Sequence, residues 1–310
     1  MRSAPGLDPK TAAALTRRIT LLSVATAGVL VVIKTAVWLI SGSVALLASA
    51  ADSGLDLIAS LVTFYAVRYA QAPPDAEHRF GHGKAEAFAS LVQAGLVFAS
   101  AALIGQEAIT HILHPTPVAN EGWAVAVMAI STALTVLLIL AQGRVLKQTS
   151  SVAVSGDRAH YLTDVASNLI ALAGIGAAAW LGWHSLDAIA GLMVAALLLW
   201  AAIGVFREAS GQLMDHELPE ADRARIIELV SADPRLSDVH QLRTRTSGPF
   251  IHMQMHVDID PALTLEAAHH LIVEAEGRIL AEFPHADILI HADPRGRAEP
   301  HGGAFAEPAQ

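Results

Sequence analysis

The chain contains no cysteine, and only 16% of its 310 residues are charged. Without thiols there is no disulfide and no thiolate metal site, so any metal must be held by His, Asp or Glu. Aromatic residues make up 5% of the chain, net charge is −9, and no basic stripe interleaves with aromatics, which excludes nucleic acid as a partner. A short apolar run with a cleavage site is also lacking near the start; the first apolar run, after Arg17 and Arg18, is long enough to stay as a span. What the chain does have is 53% hydrophobic residues and a mean hydropathy of +0.46. That profile excludes an ordinary soluble protein and points to several crossings of a lipid bilayer.

A spanning helix needs about 20 apolar residues. Six such stretches are predicted, at about 19–40, 44–70, 86–110, 122–142, 152–182 and 186–206. Arg17, Arg18, Arg68, Arg79, Lys84, Arg144, Lys147, Arg158 and Arg207 all fall at one set of ends, whereas the opposite loops carry no Lys or Arg. The positive-inside rule then puts both termini in the cytoplasm of a multi-pass protein of the cell inner (plasma) membrane. Trp38, Trp123, Trp180 and Trp183 fall near the outer ends, as an interfacial belt would. Lys34, inside the first span, is expected to snorkel toward the outer interface, and Glu107 to be interfacial.

After residue 208 the pattern changes. "LPEADRARIIELVSADP" predicts an amphipathic helix with Ile226, Ile227 and Val230 on one side. "DVHQLRTRT", "SGP" and "FIHMQMHVDID" predict a β-hairpin, "LTLEAAHHLIVEAEGRILAEF" a helix capped by Thr264, and "ADILIHADP" a third strand. The division expected is a cytoplasmic segment 1–16, a six-helix membrane domain 17–208, an α-β-β-α-β cytoplasmic domain 209–294 and a disordered tail 295–310.

Asp52 and Asp56 are four apart inside the second span and therefore share a helix face. Each carboxylate costs about 2.5–3.5 kcal/mol at a helix centre, so the pair needs compensation. The fifth span offers His160 and Asp164 with the same spacing. One imidazole and three carboxylates suit a tetrahedral Zn²⁺-like ion. Counted from the inner helix ends the two pairs lie at similar depth; counted from the outer ends they disagree by about 15 Å. The bland alternative is scattered polar residues that glue helices together.

The hairpin carries further candidates. A turn centred on Gly248 sets His240 opposite His256, close enough to share a metal. It also sets Arg243 opposite Met253 on the apolar face, a conflict that predicts a bulge or an edge position. On the third strand, His291 and Asp293 share a face. His252 lies on the face of His256 but about 13 Å along the strand, too far for the same ion.

These residues carry a resemblance. "GSVALLASAADSGLD", "HRFGHGKAEA", "HYLTDVASN", "LRTRTSGP" and "ILIHADP" resemble the cation diffusion facilitators, most closely the bacterial ferrous-iron/zinc efflux branch, from about Arg17 to Pro294. The one departure is Gly54, where a bulkier residue is usual. The resemblance implies that Asp52, Asp56, His160 and Asp164 form the transport site, that Asp75, His78 and His82 form a loop site, and that Lys84 ion-pairs with Asp215. It also implies that His269 joins His240, His256, His291 and Asp293 in a two-metal cluster. By the same likeness the protein is a homodimer with a metallochaperone-like cytoplasmic fold, exchanging Zn²⁺, Fe²⁺ or Cd²⁺ for protons. Solvated histidines and an ordinary positive-inside lysine remain the plain alternatives for the loop and cytoplasmic residues.

The function expected is a proton-coupled antiporter exporting divalent metal, zinc first, with metal also structural or regulatory in the cytoplasmic domain. Imidazole, with an ordinary pKa near 6.5, makes His160 the natural coupling group. Two rivals are a non-transporting metal sensor or adaptor and an intramembrane zinc metalloenzyme. The second would need a general base beside an open metal position, commonly a His-Glu-x-x-His helix, and the sequence has none.

Overall fold

Six long helices account for the apolar part of the chain: α1 (Pro9–Ser41), α2 (Val44–Ala70), α3 (Ala85–Leu113), α4 (Gly122–Thr149), α5 (Val152–Leu181) and α6 (His184–Leu213). The computed structural model describes residues 9–41, 44–113, 122–149, 151–181 and 184–296. The first eight residues, the tail beyond 296, Trp183 and the loops at 42–43 and 114–121 lie outside the described residues, as do the side chains of Trp123 and Trp180. Several helices outrun the apolar stretches that predict them. The 33 residues of α1 would be about 50 Å long, well beyond the roughly 30 Å of a hydrocarbon core. Helix α1 already includes Pro9–Thr16, so the expected separate segment 1–16 is partly helix.

Among the described residues, five of the six helices are long and apolar enough to span a bilayer. Large apolar side chains such as Val32, Leu103 and Leu137 point outward, as a lipid-facing surface requires. Helix α5 lies at the centre of the bundle, packed against α3, α4 and α6 and touching α2. Its first turn is fully covered: Ser151 Oγ donates to Glu86 Oε2 at 2.5 Å, and Ser90 Oγ donates to the Val152 carbonyl at 3.0 Å.

The C-terminal part comprises α7 (Glu220–Ser231), β1 (Ser237–Ser247), β2 (Phe250–Ile259), α8 (Leu265–Glu282) and β3 (Ala286–Pro294). The sheet order is β1-β2-β3, with β1 antiparallel and β3 parallel to the central β2. Alternation along β2 buries Ile251, Met253, Met255, Val257 and Ile259 against α7 and α8. Thr264 caps α8, its Oγ1 accepting from the Ala267 N–H at 3.2 Å. Ile226 and Val230, one turn apart, enter this core, but Ile227 is 37% exposed, because a one-residue step turns it about 100° away.

The hairpin register corrects a simple symmetric reading. His240 does pair with His256, but Arg243 pairs with Gln254 and Thr244 with Met253. The register shifts on both sides of His240, where Asp238 and Gln241 adopt φ of 47° and 50°. The register runs unbroken from the two-residue turn at Gly248 and Pro249, which sets Arg243 off the apolar face and buries Thr244 there, and the bulge between Arg243 and His240 then brings His240 opposite His256. Thr244 is satisfied by the Glu217 carboxylate, which accepts from both its hydroxyl and its N–H.

Candidate metal centre

Helices α2 and α5 bring the intramembrane residues together. His160 Nε2 lies 2.9 Å from Asp56 Oδ1 and 3.9 Å from Asp164 Oδ2. Donor atoms of these three residues fall within 4.8 Å of one another, a spacing that one cation can close. Asp56 and His160 are buried, and His160 Nδ1 makes no hydrogen bond. Asp52 lies one turn away on α2, more exposed and outside this group of three, but it lines the same cavity of about 250 Å³ together with Asp56 and Asp164. Asp56 is 14 residues from the last residue of α2 and His160 8 from the first of α5, while from the opposite ends the counts are 12 and 21, so the two helices are staggered where their side chains meet.

Two features of this region are not those expected. Lys34 does not snorkel: it is 8% exposed, its Nζ donates to Ser53 Oγ at 2.6 Å, and it lines the cavity with the aspartates. The neutral hydroxyl between Asp52 and Asp56 draws it inward. The second is Asp157, one turn before His160 and wholly buried. Its Oδ1 accepts from Gln93 Nε2 at 3.2 Å and its Oδ2 from Gln142 Nε2 at 2.8 Å. Ser60 Oγ reaches Oδ1 at 3.5 Å and pairs with Tyr161 OH at 2.7 Å. This network ties α5 to α2, α3 and α4. Its sequence signal is a second carboxylate in the fifth span, with glutamines in the third and fourth.

The loop between α2 and α3 folds back on itself. Asp75 Oδ1 accepts from the N–H groups of Glu77 and His78 at 2.9 and 2.6 Å, and lies 3.2 Å from His78 Nδ1. His82 Nε2 is 3.2 Å from Asp75 Oδ2, so the three residues hold their donor atoms within 4.8 Å. The His78 N–H, more than the other donors, holds the Asp75 carboxyl below the usual carboxylate range. His82 is buried against the Tyr69 ring, while Asp75 and His78 are exposed.

On the sheet face opposite the core, Asp293 is the hub. Its Oδ2 lies 2.9 Å from His256 Nδ1 and 3.4 Å from His240 Nε2, and its Oδ1 3.4 Å from His291 Nε2. The rings of His256 and His291 lie tilted at 45° with centroids 4.8 Å apart. Two imidazoles and a carboxylate within 4.8 Å suit a zinc-like ion. Asp238 and Asp258, not singled out in the sequence, also approach His240 within that distance. His269 does not join them: it is exposed on α8, and α8 covers the other face of the sheet. Helical periodicity fixed its place on α8 but not which sheet face that helix covers.

Lys84 Nζ lies 2.9 Å from Asp215 Oδ1, and Arg245 NH1 3.2 Å from Asp215 Oδ2. Arg245 also stands over the Phe80 ring at 4.9 Å, and Phe80 meets His252 edge-on at 5.9 Å. The loop is thereby fixed to the hairpin of the C-terminal domain.

Comparison with known proteins agrees with this architecture. Residues 20–214 match the family described as the cation efflux transmembrane domain, and residues 218–295 the cytoplasmic domain of cation efflux proteins. The chain is 38% identical over 280 residues to the cation-efflux pump FieF of Salmonella paratyphi A, covering 90% of this chain and 93% of that one. The same pump from Salmonella schwarzengrund is 38% identical over 291 residues, covering 94% and 97%. Two solved structures are similar over about a quarter of the chain. The zinc form of the zinc transporter CzrB is 30% identical, covers 27% of this chain and 98% of its own, and has a TM-score of 0.25. The metal-bound C-terminal domain of CzcD from Thermotoga maritima is 22% identical, covers 26% and 100%, and has the same TM-score. The chain belongs to the cation efflux family, the cation diffusion facilitators, and is a multi-pass membrane transporter rather than an enzyme.

Proposed function

We propose that the protein exports divalent metal from the cytoplasm in exchange for protons, with Zn²⁺ as first cargo and Fe²⁺ and Cd²⁺ as further ones. The observation that carries this is the convergence of Asp56, His160 and Asp164 from two helices inside the bundle. In this reading Asp52 completes the ligand set, and residues 17–208 are the transport unit. The ion displaces protons from the imidazole and carboxylates, because metal ligands must be deprotonated. Relative movement of the helices then turns the site outward, and protons arriving from that side return to the same atoms and release the ion.

Residues 209–294 form the cytoplasmic unit of a homodimer in the inner membrane, with both termini in the cytoplasm. There His240, His256, His291 and Asp293 hold regulatory or structural metal, and Asp75, His78 and His82 hold an ion at the junction. The supporting observation is the same donor chemistry, two imidazoles with one carboxylate, in both places. The sharpest test is flux. Purified protein in sealed proteoliposomes should move Zn²⁺ at a rate that rises with an opposing proton gradient, and protons should move the other way. A protein that binds zinc but transports none under either condition would instead be a sensor or adaptor.

A further inference from the structure

The transport cavity already contains a cation of the protein's own. Lys34 extends from α1 into the cavity lined by Asp52, Asp56 and Asp164, and Ser53 Oγ, wholly buried, holds its ammonium at 2.6 Å. A serine hydroxyl orients an ammonium but does not neutralise it. A buried charge is tolerated only with opposite charge close by, and here the opposite charge lies on the carboxylates of the same cavity. Helices α1 and α2 pack along each other, and the hydrogen bond ties Lys34 to α2 between its two aspartates. The ammonium therefore travels with half of the ligand set.

We propose, resting on the reading of these residues as the transport site, that Lys34 is its resident counter-cation. Between cargoes it balances the carboxylates of α2 and α5, so the cavity need not stay strongly negative. When a divalent ion enters, two cations share a cavity of about 250 Å³ and repel each other. Lys34 thus sets the affinity well below what the ligands alone would give, and it hastens release. A transporter gains from this, since an ion held too tightly is not delivered. Lys34 makes the difference between a storage site and a transfer site without touching the metal.

The test uses the full-length protein in lipid nanodiscs, with His78→Ala, His82→Ala, His240→Ala and His256→Ala removing the other clusters. Zn²⁺ binding is titrated in this background and with Lys34→Met, Lys34→Gln, Lys34→Arg or Asp56→Ala added. Lys34→Met and Lys34→Gln should bind Zn²⁺ on the order of tenfold tighter or more, because a like charge is removed at short range. In proteoliposomes they should turn over more slowly at saturating metal, and Lys34→Arg should stay near the background value in both. Equal or weaker binding in both neutral variants, or impairment in Lys34→Arg equal to theirs, would overturn the proposal and leave Lys34 a packing residue. Absence of any Asp56-dependent zinc binding in the background protein would overturn the transport-site reading and this inference with it. Asp56-dependent binding that ignores Lys34 would overturn this inference alone.

Discussion

Lys84 Nζ and Asp215 Oδ1 meet at 2.9 Å, joining the start of α3 to the turn after α6 where the C-terminal domain begins. Both side chains are more than a third exposed, so the pair contributes at most about 1 kcal/mol. Burial alone would raise the Asp215 carboxyl, but hydrogen bonds and charge from Lys84 and Arg245 outweigh it and hold it below its ordinary value. A depressed carboxylate stabilises in full above its unfolded pKa, near 4, and that contribution is lost as pH falls through the folded value. Fluorescence transfer across the junction should therefore hold steady from neutral pH to about 5 and fall below about 4. Lys84→Met should show the looser value already at neutral pH, and Asp215→Asn should show it with no acid transition of its own.

Gly83 sets a stricter condition on the same junction. A Cβ there would fall on the Ser247 carbonyl at the hairpin tip, and one on Gly248, whose φ is +56°, would lie 2.5 Å from the Gly83 carbonyl. Both obstacles are backbone and cannot rotate away. Gly83→Ala should lift the loop from the hairpin and slow transport several-fold, while zinc-dependent stabilisation of the C-terminal cluster persists. A variant with wild-type flux would show that this close approach is dispensable.

Asp157 makes the bundle depend on one carboxylate. Its Oδ1 and Oδ2 take the amides of Gln93 and Gln142 from different helices. Asp157→Ala would deprive buried donors of their acceptor, at about 1–3 kcal/mol. The detergent-solubilised variant should melt several degrees lower than wild type. Asp157→Asn should be milder, since an amide keeps one acceptor and the glutamines can flip to meet its donor. Equal melting of all three proteins would remove the network from the account of stability.

Periodicity and charge made much of this legible. Alternation along β2 placed five core residues, and the pairing of His240 with His256 expected from a symmetric hairpin is found, though a bulge between His240 and Arg243 makes it. Two i, i+4 pairs pointed to side chains that the fold brings together, because a carboxylate in an apolar run demands a reason. What escaped depends on three-dimensional partners. Lys34, expected to snorkel outward, turns into the cavity, where Ser53 accepts its hydrogen bond, a partner that no sequence pattern marks. The Arg243 conflict predicted a bulge but not its place: the positive φ falls at Asp238 and Gln241, neither of them glycine. Asp157 carries no spacing that marks it, and its role rests on the side chains of three other helices that meet on it.

In the C-terminal cluster, Asp293 is the common partner of His240, His256 and His291. Asp293→Ala should therefore cost more metal affinity than loss of any single histidine. A site binding only the folded state stabilises it by about 2.7 kcal/mol at a metal concentration 100 times its Kd. The zinc-induced rise in the melting temperature of the full-length protein should shrink most in Asp293→Ala and least in His269→Ala, since the chain keeps His269 on the far face. A larger loss in His269→Ala would mean that it reaches the cluster of a second copy.

The intramembrane ligands should differ in weight according to distance. Asp56 and Asp164 flank His160 directly, whereas Asp52 stands one turn off. Asp56→Ala and Asp164→Ala should each lower zinc affinity by on the order of 100-fold, as expected when a charged ligand is lost from a poorly solvated site. Asp52→Ala should cost less in binding, while all three variants remain folded. His160→Asp removes the only nitrogen donor of the four and leaves oxygen ligands alone, which favour harder ions such as Mn²⁺ over Zn²⁺. Metal competition for uptake into proteoliposomes reads this directly: the ratio of Mn²⁺ to Zn²⁺ transport should rise in His160→Asp. An unchanged ratio would place His160 outside the coordination sphere and leave its contact with Asp56 as a helix-to-helix hydrogen bond.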